Sequence, residues 1–174
     1  MFIVLKDIHR EPLSIDAALS VGDLEGPGGE RMSVRNARLS GEAIREDDGV
    51  DLEARLTATV QVLCSRCTEP ISLPVDTDVS LRLVPAGGEA PGQEDEARDD
   101  DEVRRFEVQD GKADLESIAR EQIYLALPLK PICREDCKGL CPVCGVNRNQ
   151  EACACEAEDI DPRLAPLLQF KQRR

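Results

Sequence analysis

Eight cysteines fall into four close pairs, Cys64 with Cys67, Cys133 with Cys137, Cys141 with Cys144 and Cys153 with Cys155, and none is left over. Such a chain is either a disulfide framework or a metal cage, and the compartment decides between them. The first residues carry an apolar run only from Phe2 to Leu5 before charge sets in, too short for the core of a secretory signal. No other stretch approaches the ~20 apolar residues that a membrane span needs. The expectation is a soluble cytoplasmic chain whose thiols stay reduced, so the pairs read as metal ligands. Zinc takes four soft ligands at tetrahedral corners, and a C-x2-C turn offers two sulfurs from one short loop. In Cys144-Gly145 the small residue lets the turn's amides approach the sulfur. Eight ligands make two complete zinc sites of a structural kind.

The grouping of the pairs is less constrained. Cys144 and Cys153 are separated by eight turn-rich residues, Gly145 to Ala152, and closing so small a loop costs little entropy. Cys141, Cys144, Cys153 and Cys155 then form one ribbon-like site, and by elimination Cys64 and Cys67 join Cys133 and Cys137. The competing arrangement draws four ligands from the six C-terminal cysteines and leaves a labile pair.

Catalysis finds little support. A catalytic zinc keeps an open position and usually takes histidine or carboxylate ligands, whereas His9 is the only histidine and stands far away in sequence. The same shortage removes a Cys–His nucleophile pair. A redox C-x-x-C belongs between a strand and a helix start, but Cys64-Ser-Arg-Cys67 lies between two β segments. Arg66 beside it keeps a redox-sensing role in play. Gly26-Pro27-Gly28-Gly29 lacks the lysine of a phosphate-binding loop. The chain reads as a binding protein with no enzymatic activity and no small-molecule substrate.

Around the cysteines the pattern is β. Positions 52, 54, 56, 58, 60 and 62 are Leu, Ala, Leu, Ala, Val and Val, with Asp51, Glu53, Arg55, Thr57, Thr59 and Gln61 interleaved. Ile71, Leu73, Val75, Val79, Leu81 and Leu83 alternate with polar residues, broken on the apolar side only by Thr77. Pro74 cannot donate to a ladder and places that strand at an edge or a bulge. A preceding strand near 34–44 pairs through Glu46-Asp47-Asp48-Gly49, and residues 2–5 and 103–108 suit short strands. Residues 10–31, dense in glycine and proline, read mostly as loop. Asp114 caps a helix reaching Leu127, with Leu115, Ile118, Ala119, Gln122, Ile123 and Ala126 on one face. Aromatics make up only 2% of the chain and tryptophan is absent, so the core must use Leu, Val, Ile and Ala, and a metal staple would help it.

The resulting expectation is an α+β fold: an antiparallel β-sheet or partial barrel with one main helix and a C-terminal zinc-ribbon-like module. Residues 1–130 form the β-rich domain, with a solvated insertion at 86–102 that holds eight acids against one arginine. Residues 131–174 form the cysteine-rich module and tail. With 22 basic and 35 acidic residues the net charge is −13, and two tetrathiolate zinc sites would each add about two negative charges. That field repels nucleic acid and membranes and attracts basic partners. The one basic patch is the tail, with Arg163, Lys171, Arg173 and Arg174 and no acid from 162 to 174.

The run Glu121-Gln-Ile-Tyr-Leu-Ala-Leu-Pro-Leu-Lys-Pro-Ile-Cys133, followed by Asp136-Cys-Lys-Gly-Leu-Cys-Pro-Val-Cys-Gly145, resembles the YceD family, the large ribosomal RNA subunit accumulation proteins. Cys64-Ser-Arg-Cys67 and Asp161-Pro-Arg163 fit the same pattern in the same order. One departure is Arg148, where the family usually has leucine between two asparagines. The resemblance implies a role in synthesis, processing or stability of large-subunit ribosomal RNA without an assigned catalytic activity. Two modes of action follow. An acidic surface could escort a basic ribosomal protein to the large-subunit precursor, which the charge favours, or the zinc modules and tail could contact ribosomal RNA directly. A thiol- or zinc-responsive regulator is the rival of a different class.

Overall fold

The computed structural model describes residues 1–26, 28–46, 49–86 and 104–155. They divide into two compact units: Met1–Val62 with Pro70–Pro131, and Leu63–Glu69 with the chain from Ile132 onward. The acidic insertion from residue 87 and the basic tail lie outside the described residues.

The first unit contains β1 (Phe2–Val4), β2 (Leu13–Leu19), β3 (Asp23–Glu25), β4 (Arg31–Glu46), β5 (Gly49–Leu63), β6 (Pro70–Pro85), β7 (Arg104–Val108), β8 (Lys112–Asp114) and α1 (Leu115–Ala126). The main sheet runs β2-β4-β5-β6-β7 with β3 also on β4, and β1 and β8 form a separate pair. β4 and β5 make the long antiparallel hairpin, closed at Glu46 opposite Gly49, with a bulge between Arg35 and Arg38. Asn36 takes the positive φ of 54° at that bulge.

Strand alternation translates directly into burial. Along β5, Leu52, Leu56 and Val60 are fully enclosed, while Glu53, Arg55, Thr57 and Gln61 are exposed. Across to β6 the outer face carries Arg55 on Asp76 (2.6 and 2.8 Å) and Arg82 on Asp51 (3.1 Å). Arg55 holds the Asp76 carboxyl below its ordinary range. Both Arg55 and Asp76 are more than half exposed, so that pair adds little stability.

Two features differ from the sequence expectation. The stretch 10–31 is not mostly loop: β2 and β3 lie within it, and β2 pairs antiparallel with β4 from Leu13 opposite Ala43 to Leu19 opposite Ala37. Ile15, Ala17 and Leu19 alternate into the core, a signal that the surrounding glycines and prolines obscured. The sheet is also mixed, because β7 runs parallel to β6 at Leu81 to Pro85. The stretch between Pro85 and Arg104 supplies the long return that a parallel pair needs. β7 pairs with β6 only from Leu81 to Pro85, so Pro74 lies on a part of the strand that β7 does not cover.

Helix α1 begins where Asp114 accepts hydrogen bonds from Glu116 N (3.1 Å) and Ser117 Oγ (2.9 Å), and it ends before Pro128. Leu115, Ile118, Ala119 and Ile123 are buried and join one continuous core with the sheet, whereas Ala126 is exposed. No helix among the described residues is long and apolar enough to cross a membrane.

Gly41 marks where β4 has no room for a side chain: a Cβ there would meet Glu53 O at 2.1 Å and Ala54 Cα at 2.4 Å. Gly41→Ala should cost roughly 1–3 kcal/mol through backbone displacement, and Leu56→Ala about 2–5 kcal/mol through its cavity. Leu129→Ala, at a fully exposed position, should stay within about 0.5 kcal/mol. Urea unfolding of the three variants checks the order, and equal losses would contradict this core.

Candidate metal centres

The second unit begins with the tip between β5 and β6. Cys64 N donates to Glu69 O (2.8 Å) and Thr68 N to Cys64 O (2.9 Å), which folds Cys64-Ser-Arg-Cys67 into a tight knuckle with Thr68 at φ 59°. Arg66 then ties this knuckle to the chain after Ile132. Its guanidinium donates to Glu135 O (3.1 Å) and Cys137 O (3.0 Å), and its own carbonyl accepts from Leu140 N (2.9 Å). Gly139 lies against that carbonyl: its φ is +72°, and a Cβ there would approach Arg66 O to 2.9 Å. A second knuckle forms at Cys141, whose N–H donates to Val146 O (2.8 Å) while Gly145 N returns to Cys141 O (2.9 Å).

These turns gather the eight sulfurs into two groups, Cys64, Cys67, Cys133 and Cys137, and Cys141, Cys144, Cys153 and Cys155. Within each group the sulfurs lie within 4.8 Å of one another, and all eight thiols are free. In the first group Cys64 and Cys137 Sγ are 3.9 Å apart and Cys67 and Cys133 Sγ 3.7 Å. A tetrahedral cation with metal–sulfur bonds of ~2.3 Å separates its sulfurs by about 3.8 Å, so the spacing fits a four-coordinate ion. The groups differ in exposure. Cys64, Cys67 and Cys137 are buried, with only Cys133 exposed; in the second group only Cys141 is buried, and Cys144 and Cys155 are exposed.

The electrostatics suit thiolate. Burial opposes charge on Cys64, yet the backbone N–H groups of Arg66, Cys67 and Cys133 outweigh it and bring this thiol down to about 6. The N–H groups of Cys144 and Val143 bring Cys141 to about 6 as well. Other thiols move the opposite way. Desolvation of its sulfur, then Cys137 and its neighbours, push Cys133 up to about 12. The hydrogen bond with Cys144, then burial, push Cys155 up to about 12. Each group thus contains thiols that ionise readily and thiols that keep their proton against the neighbouring negative charge. A divalent cation removes that repulsion and turns all four into ligands.

Four sulfurs around one ion would leave no open position, and among the described residues neither His9 nor a carboxylate belongs to either group. Sequence reasoning missed the polar residues that support the sulfurs. Asn149 Nδ2 donates to Cys137 Sγ (3.3 Å), and Asn147 and Gln150 both donate to Glu69 (3.1 and 2.8 Å). The only sequence sign was the Asn-x-Asn spacing inside the loop that closes the second group.

The family profile described as large ribosomal RNA subunit accumulation protein YceD matches residues 44–171, which include both sulfur groups. The chain belongs to the YceD family. It is 35% identical to uncharacterized proteins of Mycobacterium tuberculosis and Mycobacterium bovis over 77% of this chain and 69% of theirs. It is also 24% identical to the large ribosomal RNA subunit accumulation protein YCED homolog 1, chloroplastic, of Arabidopsis thaliana, over 78% of this chain and 49% of that protein. The same-named protein of Zea mays is 25% identical over 87% of this chain and 58% of its own. This YceD chain therefore spans about half the length of the plant relatives. No solved structure matches it. The family name refers to accumulation of large-subunit ribosomal RNA.

The exposure difference has a kinetic consequence. When metal-loaded protein is treated with a thiol alkylator, the exposed Cys133, Cys144 and Cys155 should react before the buried Cys64 and Cys67, with metal released as they react. Peptide mapping by mass spectrometry with a chromogenic metal indicator follows both events. Early labelling of Cys64 would contradict the burial described here.

Proposed function

We propose that this YceD protein is a non-enzymatic, zinc-stapled ribosome-biogenesis factor. In this reading it acts in the cytoplasm and supports large-subunit ribosomal RNA by binding a basic ribosomal protein or a precursor particle. The observation that carries the reading is the pair of closed four-sulfur sets in a chain whose family is named for that RNA's accumulation. All-cysteine tetrahedral sets suit zinc, which has no redox chemistry and needs no open position for a structural role. Cys64, Cys67, Cys133 and Cys137 would hold one ion and Cys141, Cys144, Cys153 and Cys155 the other. Elemental analysis of anaerobically purified protein should find two zinc ions per chain and no iron. One ion, or a coloured iron–sulfur chromophore, would overturn the assignment.

The net charge of −13 supports a basic protein partner over naked RNA. Capture of partners from cell extract, with and without nuclease, tests the choice. Basic large-subunit proteins should remain after nuclease and dissociate as salt rises. Naked RNA should bind weakly through Arg163, Lys171, Arg173 and Arg174, with a salt slope of about 3 to 4 by counterion release. Tight RNA binding that disappears when Lys171, Arg173 and Arg174 become alanine, with no ribosomal protein retained, would replace this reading with direct RNA contact.

A further inference from the structure

Asn149 stands in the loop between Cys144 and Cys153, two members of the second sulfur group, yet its side chain serves the first. Its amide nitrogen donates to Cys137 Sγ at 3.3 Å and to Asn147 Oδ1 at 2.9 Å. Its amide oxygen accepts from Lys138 N at 2.8 Å and from Arg134 at 3.0 Å. Both donors and both acceptor positions of the amide are used. The orientation is also determined: a backbone N–H can only donate, so Lys138 fixes the oxygen side and leaves the NH2 group facing the sulfur.

The loop is itself held against the first group. Asn147 Oδ1 accepts from Asn149 N at 3.1 Å, Asn147 Nδ2 reaches Glu69 at 3.1 Å beyond the Cys64–Cys67 knuckle, and Arg148 N donates to Gly139 O at 2.9 Å. Its two ends lead into Cys144 and Cys153, so an ion at the second group closes it.

We infer that Asn149 is a positioning residue through which the two metal sites load cooperatively. Occupation of Cys141, Cys144, Cys153 and Cys155 fixes the loop and presents the Asn149 amide to Cys137. That N–H supports a negative sulfur and so strengthens the ion held with Cys64, Cys67 and Cys133. Coupling between binding free energies is reciprocal, so an ion at the first site tightens the second by the same factor. Loss of a hydrogen-bonding partner beside a metal ligand typically lowers metal affinity roughly 10- to 100-fold, which sets the size of the effect. This inference rests on the reading that both groups hold a metal ion.

The test uses the full chain, stripped of metal under reducing conditions and reloaded with zinc against a chromogenic chelator, or with cadmium-113 for NMR. Two cadmium resonances should appear, and Cys153→Ser should remove or weaken one of them and so identify the site. Asn149→Ala should lower zinc affinity at the first site roughly 10- to 100-fold and shift that site's cadmium resonance. Asn149→Asp keeps the acceptor for Lys138 but has no N–H for the sulfur, and should lose as much. Cys153→Ser combined with Asn149→Ala should weaken the first site no more than Cys153→Ser alone. Additive losses, or an Asn149→Asp protein whose first-site affinity and resonance match wild type, would overturn the coupling while leaving two metal sites standing. Failure of the wild-type chain to bind metal would overturn both.

Discussion

Four sulfurs within 4.8 Å of one another would repel one another too strongly to be thiolates together without a cation, and that constraint shapes the second unit. Its apolar cluster shows why: among the described residues it consists of Cys64, Cys67 and Cys137 with Ile132 packed against them. Such a cluster buries too little hydrocarbon to offset the ordering of the knuckles, the loop and the chain after residue 132. Structural zinc in small domains contributes on the order of 10 kcal/mol or more at neutral pH, the scale of free energy this unit lacks. The hydrogen bonds from Arg66 and the turn at Gly139 give direction to the fold but not its driving force. Arg66 acts at two levels, because its guanidinium holds two backbone carbonyls while its amide N–H supports the Cys64 sulfur at 3.5 Å.

The first unit solves the opposite problem with ordinary means. Its core is continuous, built from Leu, Val, Ile and Ala with Met32 and partly buried Phe106, and no charged or polar side chain is buried among the described residues. A sheet of long strands compensates for the shortage of aromatics, since each strand repeats small contributions along many residues. Close backbone approach at Gly41 belongs to the same economy. Where side chains are small, strands and their covering layers pack tightly, and a single added methyl group is felt.

How much of this could be read in the sequence depended on whether the signal was local. The alternation of Leu52 to Val62 and the Asp114 cap are local patterns, and both elements lie where those patterns put them. The strand at Leu13–Leu19 was hidden because Pro12 and the glycines from Gly22 onward dominate the local statistics, although Ile15, Ala17 and Leu19 keep the period. The parallel pairing of Arg104–Val108 depends on a long return, and no local pattern encodes it. The sulfur groups divide the same way. Cys141, Cys144, Cys153 and Cys155 are linked by a short loop, so bringing them together costs little chain entropy. Cys64 and Cys67 meet Cys133 and Cys137 across more than 60 residues, which sequence reaches only by elimination. The Asn147-Arg148-Asn149 spacing was the only local sign of Asn149, and it did not point to Cys137, which lies on another turn.

A closed coordination sphere also limits how such a protein can act. With every ligand position taken by sulfur, an ion held in either group would neither polarise a substrate nor activate water. Its contribution would pass through the surfaces that it holds in place. Each tetrathiolate ion would keep about two negative charges, adding to a chain already at −13. At the first group that charge is partly answered locally, by the Asn149 amide and by the backbone N–H groups of Arg66 and Cys133 on Cys64. The second group is more exposed and sits nearer to solvent, where screening weakens its field. The long-range field of a chain at −13 therefore comes mainly from its carboxylates.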